Sequence, residues 1–138
     1  MDYKQMTAPC GIDCFNCAVY HAGENETLRN RVAENLGVAP EKAVCKGCRN
    51  ESGTVVCLNM TEPCQVYQCI QKKDIQFCFE CPDFPCDHLH PYADQASNRP
   101  HNTKVFNSCL IKKMGVQSWA ETKAKKVRDT YFKAGFKL

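Results

Sequence analysis

Apolar and polar positions follow the period of an α-helix most clearly in the last third of the chain. Five apolar residues recur at helical spacing and make one face: Val105, Phe106, Cys109, Leu110 and Met114. Gly115 follows this face and is placed to end the helix, because glycine readily adopts the left-handed backbone of a helix C-terminus. The pattern predicts a helix whose apolar face, including Cys109, is buried in the core.

A second helix is predicted soon after Gly115. Ser118-Trp119-Ala120-Glu121 has the form of a capping box, in which the first and fourth side chains accept bonds from backbone N–H groups at a helix start. An apolar stripe then continues to about Phe132 through Ala120, Ala124, Val127 and Tyr131. Two helices joined by a short turn predict an antiparallel hairpin over residues 102–134.

Helical patterns are shorter in the first part of the chain. Asn25 is a predicted N-cap, Leu28, Val32 and Leu36 form one stripe, and Gly37 is placed to end that helix. A short helical turn is expected from Pro40, since proline suits the first position of a helix. Residues 54–56 are a candidate short strand.

A further helix is predicted from Thr61 or Pro63 to Ile70. Cys64 and Cys69 would lie about 140° apart around a regular helix, so they could not both face one metal ion. Either Cys64 lies at a frayed first turn or the two cysteines belong to different sites. Beyond this region, Asp83 is expected to cap a helix that begins at Pro85 and is interrupted at Pro91.

Cysteine dominates the chemistry that this sequence can offer. The chain has twelve cysteines in 138 residues, and its 43% hydrophobic fraction includes them, so little hydrocarbon is left for a core. Pairs at C-x2-C spacing are typical of metal ligands. The predicted ligands are Cys10, Cys14, Cys17, Cys45, Cys48, Cys64, Cys69, Cys78, Cys81 and Cys86. We expect two Zn²⁺ ions that stabilise a small domain.

The pairing of these thiols is partly open. Cys14 and Cys17 with Cys45 and Cys48 would make one site, and Cys78, Cys81 and Cys86 would make another with either Cys64 or Cys69. Two four-thiol sites leave three thiols over when Cys109 is set aside. These three are buried thiols, members of a third site or bridging ligands, and Cys57 is the leading candidate for a non-ligand.

Disulfide bonds are an alternative to zinc for the twelve cysteines. Six disulfides would need an oxidising compartment, but residues 1–6 lack the apolar core of a secretion signal and no stretch approaches a membrane span of about 20 apolar residues. We therefore expect a cytoplasmic protein that does not enter the membrane.

An iron–sulfur cluster is the principal alternative, because four thiolates also satisfy such clusters. The C-x3-C-x2-C spacing of Cys10, Cys14 and Cys17 is similar to that of radical S-adenosylmethionine enzymes. Those enzymes have a large partial barrel for which this chain is too short, and Asn16 stands where they favour an aromatic residue. No histidine belongs to a recognisable nucleophile arrangement, so the sequence favours a non-enzymatic role.

Charge is distributed unevenly along the chain. Residues 1–103 hold nine Lys or Arg and thirteen Asp or Glu, a formal charge of −4, whereas residues 104–138 hold nine and two, a formal charge of +7. Six basic residues lie on the predicted final helix and after it: Lys123, Lys125, Lys126, Arg128, Lys133 and Lys137. Such a surface could neutralise the thiolates or contact nucleic acid, although a solvated helix face is the commoner outcome.

Several of these motifs together resemble a family of small bacterial and archaeal proteins known as domain of unknown function 3795. The similarity lies in four stretches: Pro9-Cys10-Gly11 through Cys17, Cys45-Lys46-Gly47-Cys48-Arg49, the pair Cys64 and Cys69, and Phe77-Cys78-Phe79-Glu80-Cys81 to Phe84-Pro85-Cys86. It extends more weakly to Gly115–Trp119. The resemblance implies a cysteine-rich, zinc-binding domain without an established reaction.

The sequence as a whole predicts a mainly α, small irregular metal-bound domain with cysteine knuckles and a C-terminal helical hairpin. Residues 1–101 form the cysteine-rich body, and residues 102–138 form a hairpin packed on it as part of one structural unit. The expected function is that of a non-enzymatic zinc-binding interaction or adaptor module with a protein partner. The alternative is a redox or metal-handling protein that holds an iron–sulfur cluster or a transferable metal ion.

Overall fold

Short helices and turns make up the part of the chain that the structure describes. A computed structural model describes residues 1–89 and 101–133, with side-chain detail from residue 103 to residue 131 in the second range. The α-helices are α1 (Ala18–His21), α2 (Glu26–Leu36), α3 (Gln65–Lys72), α4 (His101–Met114), α5 (Val116–Trp119) and α6 (Lys125–Lys133). A π-helical segment, Ala120–Ala124, makes α5 and α6 continuous. The prediction of a mainly helical, cysteine-rich protein is confirmed.

Short 3₁₀ turns connect the helices and hold several of the cysteines. They span Cys14–Asn16, Pro40–Lys42, Val56–Leu58, Cys78–Glu80 and Asp87–Leu89. The turn at Pro40 was predicted, whereas the candidate strand at residues 54–56 is wrong, because the chain there enters the turn at Val56. The described residues contain no strand, only an isolated bridge between Thr7 and Asp13.

Helix α2 begins and ends as its sequence predicts. The Asn25 side chain accepts a hydrogen bond of 2.9 Å from the backbone N–H of Leu28, and Gly37 adopts a left-handed φ of 65°. Val32 and Ala33 are buried on this helix, whereas Leu36 is 41% exposed. The core face of α2 is therefore narrower than the predicted stripe.

Helix α3 begins at Gln65, later than the predicted Thr61 or Pro63. Cys64 is its N-cap, and the Cys64 sulfur accepts a hydrogen bond of 3.4 Å from the backbone N–H of Tyr67. Cys64 therefore lies outside the regular helix, whereas Cys69 lies within it. The two thiols are free to face different sites.

In the described residues up to Leu89, no α-helix begins at the predicted Pro85. The Phe84–Pro85 peptide bond is cis, and the chain forms a 3₁₀ turn only at Asp87–Leu89. Cys86 precedes this turn, so the sequence placed it wrongly in the first turn of an α-helix. The predicted interruption at Pro91 lies outside the described residues.

Helices α4, α5 and α6 form the C-terminal hairpin. Gly115, with a φ of 81°, donates its N–H to the Ile111 carbonyl at 2.8 Å and ends α4 as predicted. The predicted capping box at Ser118 is wrong, because this single residue reverses the chain and α5 begins at once with Val116. Ser118 therefore lies inside a helix, where its carbonyl accepts a bond from Thr122 Oγ1.

The buried face of α4 is polar, contrary to the sequence pattern. Phe106 is 54% exposed and Cys109 is exposed, so the prediction that Cys109 is a core residue is wrong. Five other residues of this helix are buried: Thr103, Lys104, Asn107, Ser108 and Ile111. This face is polar because it lies against the backbone of the first cysteine loop, whose carbonyl groups need hydrogen-bond donors.

Two contacts show this pairing of polar groups. Asn107 Nδ2 donates to the Gly11 carbonyl at 2.9 Å, and Ser108 Oγ donates to the Cys10 carbonyl at 3.3 Å. Apolar packing then surrounds the contact, since Trp119 is fully buried and lies edge-on against Phe15 with ring centroids 5.7 Å apart. The hairpin and the first cysteine loop therefore share one core.

None of the helices in the described ranges has the length and apolar character that a membrane crossing requires.

Candidate metal centre

All twelve cysteines have free thiol groups, and their surroundings divide most of them into two neighbouring groups. We call Cys69, Cys78, Cys81 and Cys86 the thiol pocket. We call Cys10, Cys14, Cys48 and Cys64 the inner thiol group. Cys10 and Cys78 lie at the boundary between the two groups, where the Cys78 N–H donates to the Pro9 carbonyl at 3.0 Å.

The thiol pocket is a surface cavity of about 270 Å³. Its lining includes the four cysteines, the apolar residues Val66 and Ile70, and Lys73 and His88. Helix α3 supplies Cys69, and the chain from the Cys78–Glu80 turn onward supplies the other three thiols. Of the two partners that the sequence left open for Cys78, Cys81 and Cys86, the pocket contains Cys69.

Electrostatic interactions also join the thiols of this pocket. Burial, together with the neighbouring Cys10, Cys86, Cys69 and Cys81, raises the pKa of Cys78 to about 12. In the absence of a cation, Cys78 is therefore a neutral thiol near pH 7. A bound metal ion would have to displace its proton.

A lysine that sequence reasoning missed lies at the edge of the thiol pocket. Lys73 Nζ is 3.0 Å from the Cys81 sulfur and 2.6 Å from Asp83 Oδ2. The hydrogen bond from Lys73 lowers the pKa of Asp83, and the contacts with Asp83 and Cys81 raise the pKa of Lys73. Lys73 thus places a positive charge beside one of the four sulfurs.

The inner thiol group brings three separate chain segments together. Its cysteines pack in or against one core cluster, which also includes Ala8, Val66, Ile70 and Leu89. A hydrogen bond from Cys48 lowers the pKa of Cys14, and the same bond raises the pKa of Cys48. Cys10 and Cys64 raise the pKa of Cys48 further, so all four thiols interact.

Cationic side chains from distant segments lie around the inner thiol group. Burial raises the pKa of Cys10, and the charge of Lys104 on α4 partly offsets this effect. Arg49, next to Cys48, donates to the carbonyls of Thr7 at 3.0 Å and Gln76 at 2.7 Å. The Arg49 guanidinium also lies 4.7 Å from the centre of the Phe77 ring, which favours this position of the cation.

Arg128 on α6 forms a partly buried ion pair with Asp13, whose carboxylate is buried. The Arg128 guanidinium donates to the two carboxylate oxygens of Asp13 at 2.5 and 2.9 Å. It also donates to the backbone carbonyl of Asp13 at 3.1 Å. Asn16 also donates to this carboxylate at 2.9 Å. Asp13 adjoins Cys14, so the ion pair joins the basic hairpin to the first cysteine loop. The sequence shows both residues but gives no sign that they meet across 115 positions.

Gly11 allows the close approach of α4 to the same loop. Its φ is 89°, and a Cβ atom at this position would lie 2.8 Å from Ser108 Oγ and 2.9 Å from the Lys104 carbonyl oxygen. A side chain at position 11 would therefore push the hairpin away from the inner thiol group.

Four thiols lie outside both groups: Cys17, Cys45, Cys57 and the exposed Cys109 on α4. Cys45 donates to Glu51 Oε2 at 3.4 Å, and the Gly47 N–H donates to the Cys45 sulfur at 3.4 Å. The structure thus brings Cys14 and Cys48 together but assigns Cys17 to neither group. In residues 1–89 and 101–133, no set of three or more His, Cys, Asp or Glu side chains has a geometry that could hold a metal ion. The ligand assignments therefore stay predictions.

Some of the basic residues of the C-terminal helix are paired with acidic groups, and the histidines with described side chains are exposed. Arg128 binds Asp13, and Lys125 contacts Asp129 at 3.2 Å, so part of the basic surface is paired with acidic groups. His21 and His88 are exposed, and His88 lines the thiol pocket. The side chains of His90, His101 and Lys133 lie outside the described residues, as does Lys137.

Comparison with protein families gives one match. Residues 6–91 match the model of the family described as protein of unknown function (DUF3795), and the chain belongs to that family. The matched range includes both thiol groups and ends before the hairpin, so the weaker similarity at Gly115–Trp119 lies outside it. No curated protein and no solved structure matches the chain.

Proposed function

We propose that this protein is a non-enzymatic zinc-binding module in which bound metal stabilises a surface for a protein partner. The main support is the thiol pocket, where four cysteines line one cavity of about 270 Å³. Zinc favours four thiolate or imidazole ligands in a tetrahedron, and structural sites commonly use four cysteines. Cys78 and Cys81 supply one short-spaced pair, and Cys69 and Cys86 supply the other two ligands.

Metal binding would change the pocket as well as fill it. The four sulfurs have no coordinating arrangement in the described structure, so the loop that contains Cys78, Cys81 and Cys86 would close toward α3. Each thiol would lose its proton to solvent, and four thiolates around Zn²⁺ would leave a formal charge of −2. The hydrogen bond from Lys73 to Cys81 would offset part of this charge.

An interaction role is supported by the apolar surface of the hairpin. Phe106 is 54% exposed, and it lines a groove together with Thr103, Val127, Thr130 and Tyr131. Large aromatic side chains are common anchors in protein interfaces. A zinc-stabilised body would hold α4 in position and thereby present Phe106.

The first experiment is metal analysis of untagged protein purified without oxygen, with a visible spectrum of the same sample. We expect stoichiometric zinc and no visible absorption. Cys78→Ser should lose at least one equivalent of zinc, whereas Cys109→Ser is the matched control and should keep the full amount, because Cys109 is exposed on α4. Folded wild-type protein without any bound transition metal would contradict the proposal.

A second candidate is a redox or metal-handling protein with an iron–sulfur cluster or a transferable ion. It is supported by the position of the thiol pocket at the surface, where Cys69, Cys81 and Cys86 are only half-buried and therefore accessible to an acceptor. Visible absorption with bound iron would favour the cluster. Rapid transfer of one zinc ion to a chelator, without loss of the helical far-UV signal, would favour a transferable ion.

A further inference from the structure

The apolar groove that Phe106 lines lies between α4 and α6, and we call it the hairpin groove. Its volume is about 410 Å³, and almost all of its surface is apolar. Phe106 is 54% exposed, whereas Val127 and Tyr131 on the opposite wall are half-buried. Phe106 is therefore part of a continuous apolar surface and not an isolated exposed residue, and such surfaces commonly mark interaction sites.

The walls of the hairpin groove are held in place by contacts on the other faces of the two helices. Asn107 and Ser108, which follow Phe106 on α4, donate hydrogen bonds to carbonyls of the first cysteine loop. Arg128, which follows Val127 on α6, binds a carboxylate of the same loop. These contacts fix the rotation of both helices with Phe106 outward. The groove is therefore formed before a partner binds, which lowers the entropic cost of binding.

Exposed lysines border the hairpin groove. Lys126 lines both the groove and a neighbouring depression that also includes Lys123. The two carboxylates of this depression are already engaged, because Glu121 accepts a hydrogen bond from a glutamine one turn earlier and Asp129 binds Lys125 at 3.2 Å. Among the residues that the structure describes, Lys123 and Lys126 form no ion pair. The border of the groove therefore keeps a net positive charge.

We propose that the hairpin groove binds an acidic segment of a partner protein. A bulky apolar side chain of that segment packs against Phe106 in the groove, and its carboxylates bind Lys123 and Lys126. This inference rests on the proposed function as an interaction module and names the chemistry of its partner. Burial of the apolar side chain provides most of the affinity, whereas the lysines select acidic segments and speed their association.

A protein segment fits this surface better than nucleic acid does. Affinity for nucleic acid comes mainly from the simultaneous binding of many phosphates by Lys and Arg side chains. On α6, however, Arg128 and Lys125 are already paired with Asp13 and Asp129. Few cations remain for phosphates, and the groove beside them is apolar.

The test is a selection of random linear peptides, displayed on phage, against wild-type protein whose zinc content has been measured. We expect the selected peptides to combine a leucine, phenylalanine or tryptophan with a net negative charge. Phe106→Ser should weaken their binding by roughly 10-fold or more, because it removes the aromatic wall of the groove. Lys126→Glu should weaken it by about 3-fold or more at low salt and gives an independent measurement. The matched controls, Leu58→Ser and Lys42→Glu, change residues exposed on other turns and should bind as wild type does.

Several outcomes would overturn this assignment. Selected peptides without acidic character, or with equal affinity for wild type and Phe106→Ser, would exclude the proposed partner chemistry. Binding of a single-stranded oligonucleotide that Phe106→Ser weakens would assign the groove to nucleic acid, and a wild-type dimer that Phe106→Ser makes monomeric would assign it to a second copy of the chain.

Failure of this inference can be told apart from failure of the proposed function. Zinc-loaded wild type that selects no acidic peptide would overturn the partner assignment and leave zinc binding standing. Folded wild type without a bound transition metal would contradict the proposed function, whichever peptides it selects.

Discussion

The two four-thiol groups differ in what they hold together. The inner thiol group joins the first cysteine loop, the Cys45–Cys48 knuckle and the N-cap of α3, whereas the thiol pocket joins only α3 and the loop that follows it. The two groups also differ in which chain segments supply their neighbouring positive charges. Lys104 and Arg128 reach the inner group from the hairpin, and Lys73 reaches the pocket from the C-cap of α3.

This difference distinguishes a global role from a local one. Loss of the inner group would separate segments that lie far apart in sequence, and the hairpin would lose its binding surface on Gly11 and Asp13. Loss of the thiol pocket would release one surface loop. We therefore expect the inner group to determine whether the protein folds, and the pocket to stabilise only the loop that follows α3.

The largest expected effect comes from removing one thiol from each group. If the inner thiol group holds a structural zinc ion, as the sequence predicts, Cys48→Ser should abolish the cooperative thermal transition, because such an ion would contribute an apparent binding free energy of about 10–16 kcal/mol to folding. Cys86→Ser should lose one zinc ion but keep a cooperative transition. Circular dichroism melts and zinc analysis of the two variants would check this.

The control for this pair is Cys109→Ser, whose melting temperature should equal that of wild type because Cys109 is exposed. If Cys86→Ser unfolds while Cys48→Ser melts cooperatively, the assigned roles of the two groups are reversed. Equal effects of both variants would show that the groups act as one unit.

A smaller effect is expected from breaking the ion pair that joins the hairpin to the first loop. Arg128→Ala should lower the free energy of unfolding by about 3–5 kcal/mol, because it leaves the carboxylate of Asp13 buried without its cation. Lys123→Ala removes an exposed charge from the π-helical segment that precedes α6 and should change this free energy by less than about 0.5 kcal/mol.

Denaturant unfolding of metal-loaded protein measures both variants. Similar stability of Arg128→Ala and Lys123→Ala would mean that the hairpin does not depend on Asp13 for its attachment.

The smallest expected effects are those of alanine substitutions at two glycines, one where only backbone strain opposes a side chain and one where close packing opposes it as well. Gly37→Ala should lower the free energy of unfolding by about 1 kcal/mol, because its φ is 65° but nothing lies within 4 Å of the added Cβ. Gly11→Ala should cost a further 1–3 kcal/mol, roughly, because its Cβ would meet Ser108 and the Lys104 carbonyl. Thermal melts of both variants would show the difference, and equal shifts would argue against close contact between α4 and the inner group.

Local signals in the sequence predicted several elements correctly. Asn25 and Gly37 bound α2, Pro40 begins a turn, and Gly115 ends α4, because each of these depends on the backbone preferences of one residue or on a contact three positions away. The family and the mainly helical, cysteine-rich character also followed from the chain alone. The spacing of the cysteines identified candidate ligands but left their grouping open.

Helix faces were predicted less well. The apolar stripe of α4 suggested that Phe106 and Cys109 are buried, whereas the helix buries Asn107 and Ser108 instead. Periodicity identifies a buried face only when the opposing surface is apolar. Here the opposing surface is a backbone loop whose carbonyl groups need donors from outside the loop. Hydrogen bonds from Asn107 and Ser108 to that loop determined which face of α4 is buried.

The sequence by itself determined where α2 begins and ends, where α4 ends and which residues could bind metal, since these depend on side-chain type and on neighbours within a few positions. Only the tertiary structure decided that Cys64 faces the inner group while Cys69 faces the pocket, and that Arg128 meets Asp13. Such groupings depend on the packing of segments up to 115 residues apart, and the free energy of that packing is not encoded in any local pattern.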